Sequence, residues 1–235
     1  MTIIDAVPER VLAVYAHPDD GEVSCGGTLA SWARAGAEVH VVIGCQGEKG
    51  SQDPKTDPRA LAAQRAEEVA AAATALGLAG VELLGHPDGD LDITTSLKSE
   101  IVGLVRKHRP DTVVAPDPTA VFFGDGYVGH ADHRAIGWAT IDAVAPAAAM
   151  PLYYPELGAA HQVRTMLLTG TLAPDTWVDI DGAIDAKVAA LFAHHSQLAA
   201  DAEEWLADFI RHRAEEEGRK AGVACAESFR RLRLG

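Results

Sequence analysis

Only three cysteines occur in the 235 residues, Cys25, Cys45 and Cys225, an odd count with no paired spacing. A disulfide framework is thereby excluded as the source of stability, and a reducing, cytoplasmic setting is expected. Cations are also scarce: 20 Lys and Arg stand against 34 Asp and Glu, for a formal charge of −14. A surface of that sign is repelled by a nucleic-acid backbone and by an anionic membrane, so the expected partner is a neutral or cationic small molecule. No stretch approaches the roughly 18 successive apolar residues of a membrane span. The opening MTIIDAVPER lacks the cationic segment and apolar core of a secretory leader.

Apolar residues, by contrast, make up 48% of the chain, enough at this length for one sizeable core, and residues 1–235 are read as a single domain. No linker, repeat or composition shift divides it. Apolar runs of strand length alternate with segments of helical period, the signature of strand-helix-strand units. Strands are expected over 11–16, 38–43, 81–84, 112–115, 163–168 and 177–180. Helices are expected over 28–35, 58–76, 95–108, 131–143, 182–195 and 199–217. The fold class is α/β, a Rossmann-like three-layer arrangement around a mostly parallel sheet.

Open parallel sheets bind ligands beyond the carboxyl ends of their strands, so the loops at 17–27 and 117–133 should open on one edge. The first reads HPDDGEVSCGG. Asp19 and Asp20 are consecutive and leave the backbone in different directions, so they divide two jobs. One joins His17 on a metal while the other faces the open position where a water would sit. Gly26 and Gly27 permit a tight turn into the following helix. Taken alone, HPDD also suits a simple capping loop shaped by Pro18. The second element, YVGHADHRAIG at 127–137, places His130 and His133 three apart on one helical face with Asp132 between them. One histidine can ligate while the other donates to a developing oxyanion. Two histidines and a carboxylate with a fourth position left to solvent make a catalytic zinc arrangement, although iron(II), cobalt(II) and manganese(II) accept the same donors.

AHPDD followed by Gly26–Thr28, the Arg65-x-x-Glu68 pair, Asp88 in HPDGDL and HADH at 130–133 together resemble the LmbE-like, or PIG-L, family of zinc-dependent N-deacetylases. The likeness extends to AHHSQ at 193–197 and AESF at 226–229. Gly21 stands where that family commonly has Glu, and Ala131 where it has Pro. The resemblance implies that His17, Asp20 and His133 bind the metal and that Asp19 is the general base. It also implies that a protonated His130 faces the oxyanion with Asp132 orienting it, and that Arg65 and Asp88 contact substrate. The implied reaction removes an N-acetyl group from an N-acetylglucosamine-containing or related amino-sugar, releasing acetate and a free amine. An amidase acting on a thiol-sugar conjugate, a metal-dependent phosphoesterase and a non-enzymatic binding protein are the other readings. Arg65 and Glu68 read equally as an i,i+3 salt bridge on an exposed helix. Phe122 and Phe123 read as a lid or as core. His194 and His195 read as a helix end or subunit contact, or, from the family pattern, as residues near the site. The short chain suggests a pocket completed by a homo-oligomer.

Overall fold

Short β-branched and aliphatic runs form the central strands, and segments of helical period, alanine-rich over 58–76, form the helices between them. The computed structural model describes residues 2–199 and 202–235. It opens with Thr2–Ile3 (β1), Arg10–Tyr15 (β2), Asp20–Arg34 (α1) and Glu38–Cys45 (β3). Pro58–Leu76 (α2), Gly80–His86 (β4), Thr95–His108 (α3), Thr112–Pro116 (β5), Phe122–Phe123 (β6), Tyr127–Val128 (β7) and Ala131–Val144 (α4) follow. The last third adds Thr165–Thr169 (β8), Thr176–Asp179 (β9), Ile184–Phe192 (α5), Ala202–Ala221 (α6) and Ala226–Arg233 (β10).

Eight strands form one sheet in the order β1-β9-β10-β8-β5-β2-β3-β4. From β8 to β4 every pairing is parallel. β10 runs antiparallel to both of its neighbours. The result is the α/β, mostly parallel sheet that the alternating pattern predicts. Residues of β2 alternate between two cores: Leu12 and Val14 join Ile101, Val113 and Ile136 on one face, while Val11, Ala13 and Tyr15 join Leu29, Val69 and Phe229 on the other. A strand covered on both faces reads as a continuous apolar run, which is why VLAVYA is legible as one. α2 has the expected limits: the Asp57 side chain accepts from the Arg59 amide, Pro58 opens the helix, and Gly77 closes it at φ 73.

Three expectations are corrected. Helix α1 begins at Asp20 rather than at 28, because the backbone reverses at Asp19, whose φ is 94. Gly27 serves close packing and not a turn: a Cβ there would lie 2.6 Å from Ile180 Cδ1. β10 was not expected, since AESFRRLR is largely polar, yet it buries Ala226 and Phe229 between β8 and β9. The helix expected over 199–217 includes residues 200 and 201, which lie outside the described residues; α6 begins at Ala202. Among the described residues no helix is long and apolar enough to cross a membrane.

Burial predicts where the fold is sensitive. Ile101 is fully buried, and Ile101→Ala is expected to cost about 2–5 kcal/mol in urea unfolding. Exposed Leu83→Ala should change stability by less than about 0.5 kcal/mol.

Candidate active site

Chain order gives the site its place. From β2 the chain moves outward through β3 to β4, then returns to lay β5 against the other side of β2. Where the direction switches, the loops at the carboxyl ends diverge and leave a crevice. His17 and Asp20 follow β2, Cys45 ends β3, Asp88 follows β4, and the segment after β5 delivers His130 and His133 at the start of α4.

His17 sits between two groups of side chains. On one side its Nδ1 is 3.2 Å from His133 Nε2 and 3.5 Å from Asp20 Oδ2, while His133 Nε2 is 3.1 Å from Asp20 Oδ1. Separations of this size match the roughly 3.3 Å edge of a tetrahedron whose ligands stand about 2.0–2.1 Å from an ion. On the other side, His17 Nε2 is 3.1 Å from Asp132 Oδ2 and 3.1 Å from Asp88 Oδ1. Asp132 is fully buried and accepts the amides of Gly89 at 2.7 Å and Leu91 at 3.3 Å. Cys45 Sγ adds a 3.5 Å contact to the same carboxylate. Burial alone would lower the His17 pKa, but hydrogen bonds to Asp20 and Asp88 outweigh it and hold it far above the usual imidazole range. Asp20 is held well below the carboxylate range: burial opposes this, and His133 and His17 prevail. This concentration of carboxylates suits a cation. Among the described residues, His17–His130–His133 and His17–Cys45–Asp132 each bring three donor atoms within 4.8 Å of one another. The donor set therefore fits a divalent transition metal, and His17, Asp20 and His133 form one further trio at separations of 3.1–3.5 Å.

The structure shows what Asp132 and Arg65 hold. The Asp132 carboxylate was expected to orient His130, but it faces His17. His130 Nδ1 instead accepts the Asp132 backbone amide at 3.2 Å. With Nδ1 an acceptor, the neutral tautomer carries its proton on Nε2. Partial burial first, then the neighbouring His17 charge, lower the His130 pKa. Arg65 was expected to touch substrate. It is buried, and its Nη atoms donate to Pro18 O at 2.6 Å, Gly47 O at 3.1 Å and Asp19 Oδ2 at 3.2 Å. The exposed i,i+3 salt bridge is also absent, because Glu68 is buried and accepts the Ser196 amide and hydroxyl, each at 2.7 Å. Asp88 lies at the site, engaged with His17 and with the Lys49 amide at 3.3 Å.

Burial, then the Asp20 charge, push Asp19 up to about 6, against the pull of Arg65 and His194. His194 is buried, its Nε2 3.8 Å from Glu22 Oε2. Phe122 and Tyr127 are exposed on the β6–β7 hairpin, which excludes a core role for Phe122. Cys45 was missed by sequence reasoning, although its position at the end of a sheet strand was the available signal. Burial first, only partly offset by His17, pushes its thiol up to about 11. His40 and His108 stack on each other at 4.2 Å and take no part.

A model of the family described as PIG-L: GlcNAc-PI de-N-acetylase matches residues 12–144. The diacetylchitobiose deacetylase of Thermococcus kodakarensis is 31% identical over 94% of this chain and 82% of its own. The 1D-myo-inositol 2-acetamido-2-deoxy-alpha-D-glucopyranoside deacetylase of Kineococcus radiotolerans is 31% identical over 83% of this chain and 70% of its own. The solved structure of N,N'-diacetylchitobiose deacetylase from Pyrococcus horikoshii, complexed with an inhibitor, superposes with a TM-score of 0.87 at 29% identity, covering 96% of this chain and 84% of that one. The chain belongs to the PIG-L family.

Because Asp132 fixes the ring of His17, Asp132→Asn is expected to weaken divalent-metal retention about 10–100-fold in chelator competition. Unchanged retention in the folded variant would show that the carboxylate does not orient the imidazole.

Proposed function

We propose that the chain is a metal-dependent N-deacetylase that cleaves the acetamide of an N-acetylglucosamine-containing small molecule, releasing acetate and the free amine. The observation that carries this reading is the convergence of His17, Asp20 and His133, next to Asp19 in sequence and with the His130 ring 4.8 Å from that of His17. His17, Asp20 and His133 would hold the metal. When bound, a zinc ion supplies Lewis-acid polarisation and acidifies a water from a pKa of 15.7 toward about 7.

The chain's own residues do the rest. Asp19 takes the proton from the attacking water as the new C–O bond forms, and later gives it to the nitrogen as the C–N bond breaks. Arg65 fixes the carboxylate that does this, holding it 3.2 Å from its own Nη2 while gripping the backbone of Pro18 and Gly47. After the left-handed backbone at Asp19, the two adjacent acids meet separate partners, Asp19 facing Arg65 and Asp20 facing His17 and His133. His130, donating through Nε2–H, stabilises the negative charge that develops on the former carbonyl oxygen. Arg65 is thus a positioning residue in this reading, and Asp88 shares the orientation of His17.

The three cysteines are free and buried, which suits a reducing cytoplasm. Exposed Leu172, Trp205 and Phe209 offer an apolar strip that suits a homo-oligomer. The relatives' own substrates, diacetylchitobiose and a glucosaminyl inositol, are the first amides to test.

Two outcomes are expected. Asp19→Asn should retain metal and lose about 10²–10⁴-fold in acetate release. His130→Ala should lose about 10²–10³-fold, equivalent to roughly 3 kcal/mol of barrier. Phosphate release from a phosphoester in place of acetate release would replace this reading with a phosphoesterase.

A further inference from the structure

Lys187 and Glu227 take no part in the chemistry just described, yet they form an ion pair 2.5 Å long whose members are only 7% and 5% exposed. A buried ion pair repays its desolvation only when further hydrogen bonds satisfy both groups. Here those bonds go to the backbone of α1. That helix is interrupted at Cys25, whose φ of −149 and ψ of 23 are not helical.

In an unbroken helix the Gly27 amide would donate to the carbonyl four residues earlier, that of Val23. Instead Gly27 N donates to Glu227 Oε1 at 3.1 Å. Lys187 Nζ donates to the same oxygen at 2.5 Å and to Val23 O at 2.9 Å. An ion pair thus occupies the gap of one missing helical hydrogen bond. Glu227 Oε2 takes the next amide as well, that of Thr28, at 2.7 Å. The order of charges suits the two helix ends that meet at the break: the carboxylate meets free N–H groups, and the ammonium meets a free carbonyl. The reverse order would be repelled at both ends.

The break separates residues 20–24, a single turn, from the body of α1. That turn carries Asp20 and starts directly after Asp19. Its direction therefore decides where both acids stand relative to His17 and His133. Tyr15 Oη, 3.0 Å from Cys25 Sγ, holds the break from the sheet side. Ile180, against which Gly27 is pressed, fixes the segment beyond it. We propose, resting on the metal-site reading above, that Lys187 and Glu227 are positioning residues for the reaction. They splint the broken helix and set the angle at which the turn presents Asp19 and Asp20.

The test uses Glu227→Gln and Lys187→Gln, singly and together, with Lys187→Arg as the conservative change. Metal retention by chelator competition, kcat and KM on an N-acetylglucosaminide, and Tm are measured on each full-length protein. The glutamine variants are expected to hold metal roughly tenfold or more weakly, by analogy with the loss of residues that orient ligands. Their kcat should fall with KM little changed, and Lys187→Arg should recover most of both properties. A lowered Tm with wild-type metal retention and kcat would make the pair a stabilising contact alone and overturn the proposal. Absence of metal from the wild-type protein would count against the site reading instead. In that case, or if the glutamine variants do not fold, amide hydrogen exchange on the wild-type protein decides: slow exchange at Gly27 and Thr28 supports the splint, and exchange at the rate of open amides overturns it.

Discussion

The arrangement depends on one imidazole held between carboxylates. His17 meets Asp20 on its Nδ1 side and Asp132 with Asp88 on its Nε2 side, inside a crevice where charge is weakly screened. Carboxylates gathered this closely repel one another unless positive charge lies among them, and a proton on His17 or a cation beside it satisfies the need equally. The cluster stays together because the backbone amides of Gly89 and Leu91 bind the Asp132 carboxylate and that of Lys49 binds Asp88. Those amides belong to loops after β3 and β4, so the sheet itself clamps the acids in place.

Position within the sheet explains why these residues meet although they are far apart in sequence. Adjacent parallel strands end side by side, and the reversal of strand order between β5 and β2 leaves the gap where their loops diverge. His17 and His133, 116 residues apart, come within 3.2 Å across that gap. The apolar alternation of β2 buries both of its faces and makes its end a rigid platform. The helices on either side supply the layers that keep it dry.

Much of this was legible in the residues. The buried parallel strands announce themselves as short aliphatic runs, and α2 by its cap, its proline and its closing glycine. The rule that sheet loops open on one edge was enough to bring HPDD and HADH together. Other features were not readable because they rest on distant packing. The polar strand β10 takes its identity from neighbours on both sides and not from its own pattern. Arg65 and Glu68 look like a surface pair at their spacing, but the helix turns them inward to separate partners, Asp19 and Ser196. Which face of Asp132 meets which histidine depends on the loop after β4, and nothing in HADH encodes it.

The antiparallel strand β10 has a consequence for how the molecule is made. β2, β3, β4, β5 and β8 can pair as soon as residue 169 has left the ribosome, yet β9 reaches β8 only through β10. Glu227 arrives with that same strand. A nascent chain therefore carries every candidate metal donor well before it carries the residue proposed to brace α1. Until β10 is in place the β8 edge of the sheet stays open, so the residue proposed to splint α1 docks through the same pairings that join β9 to the rest of the sheet.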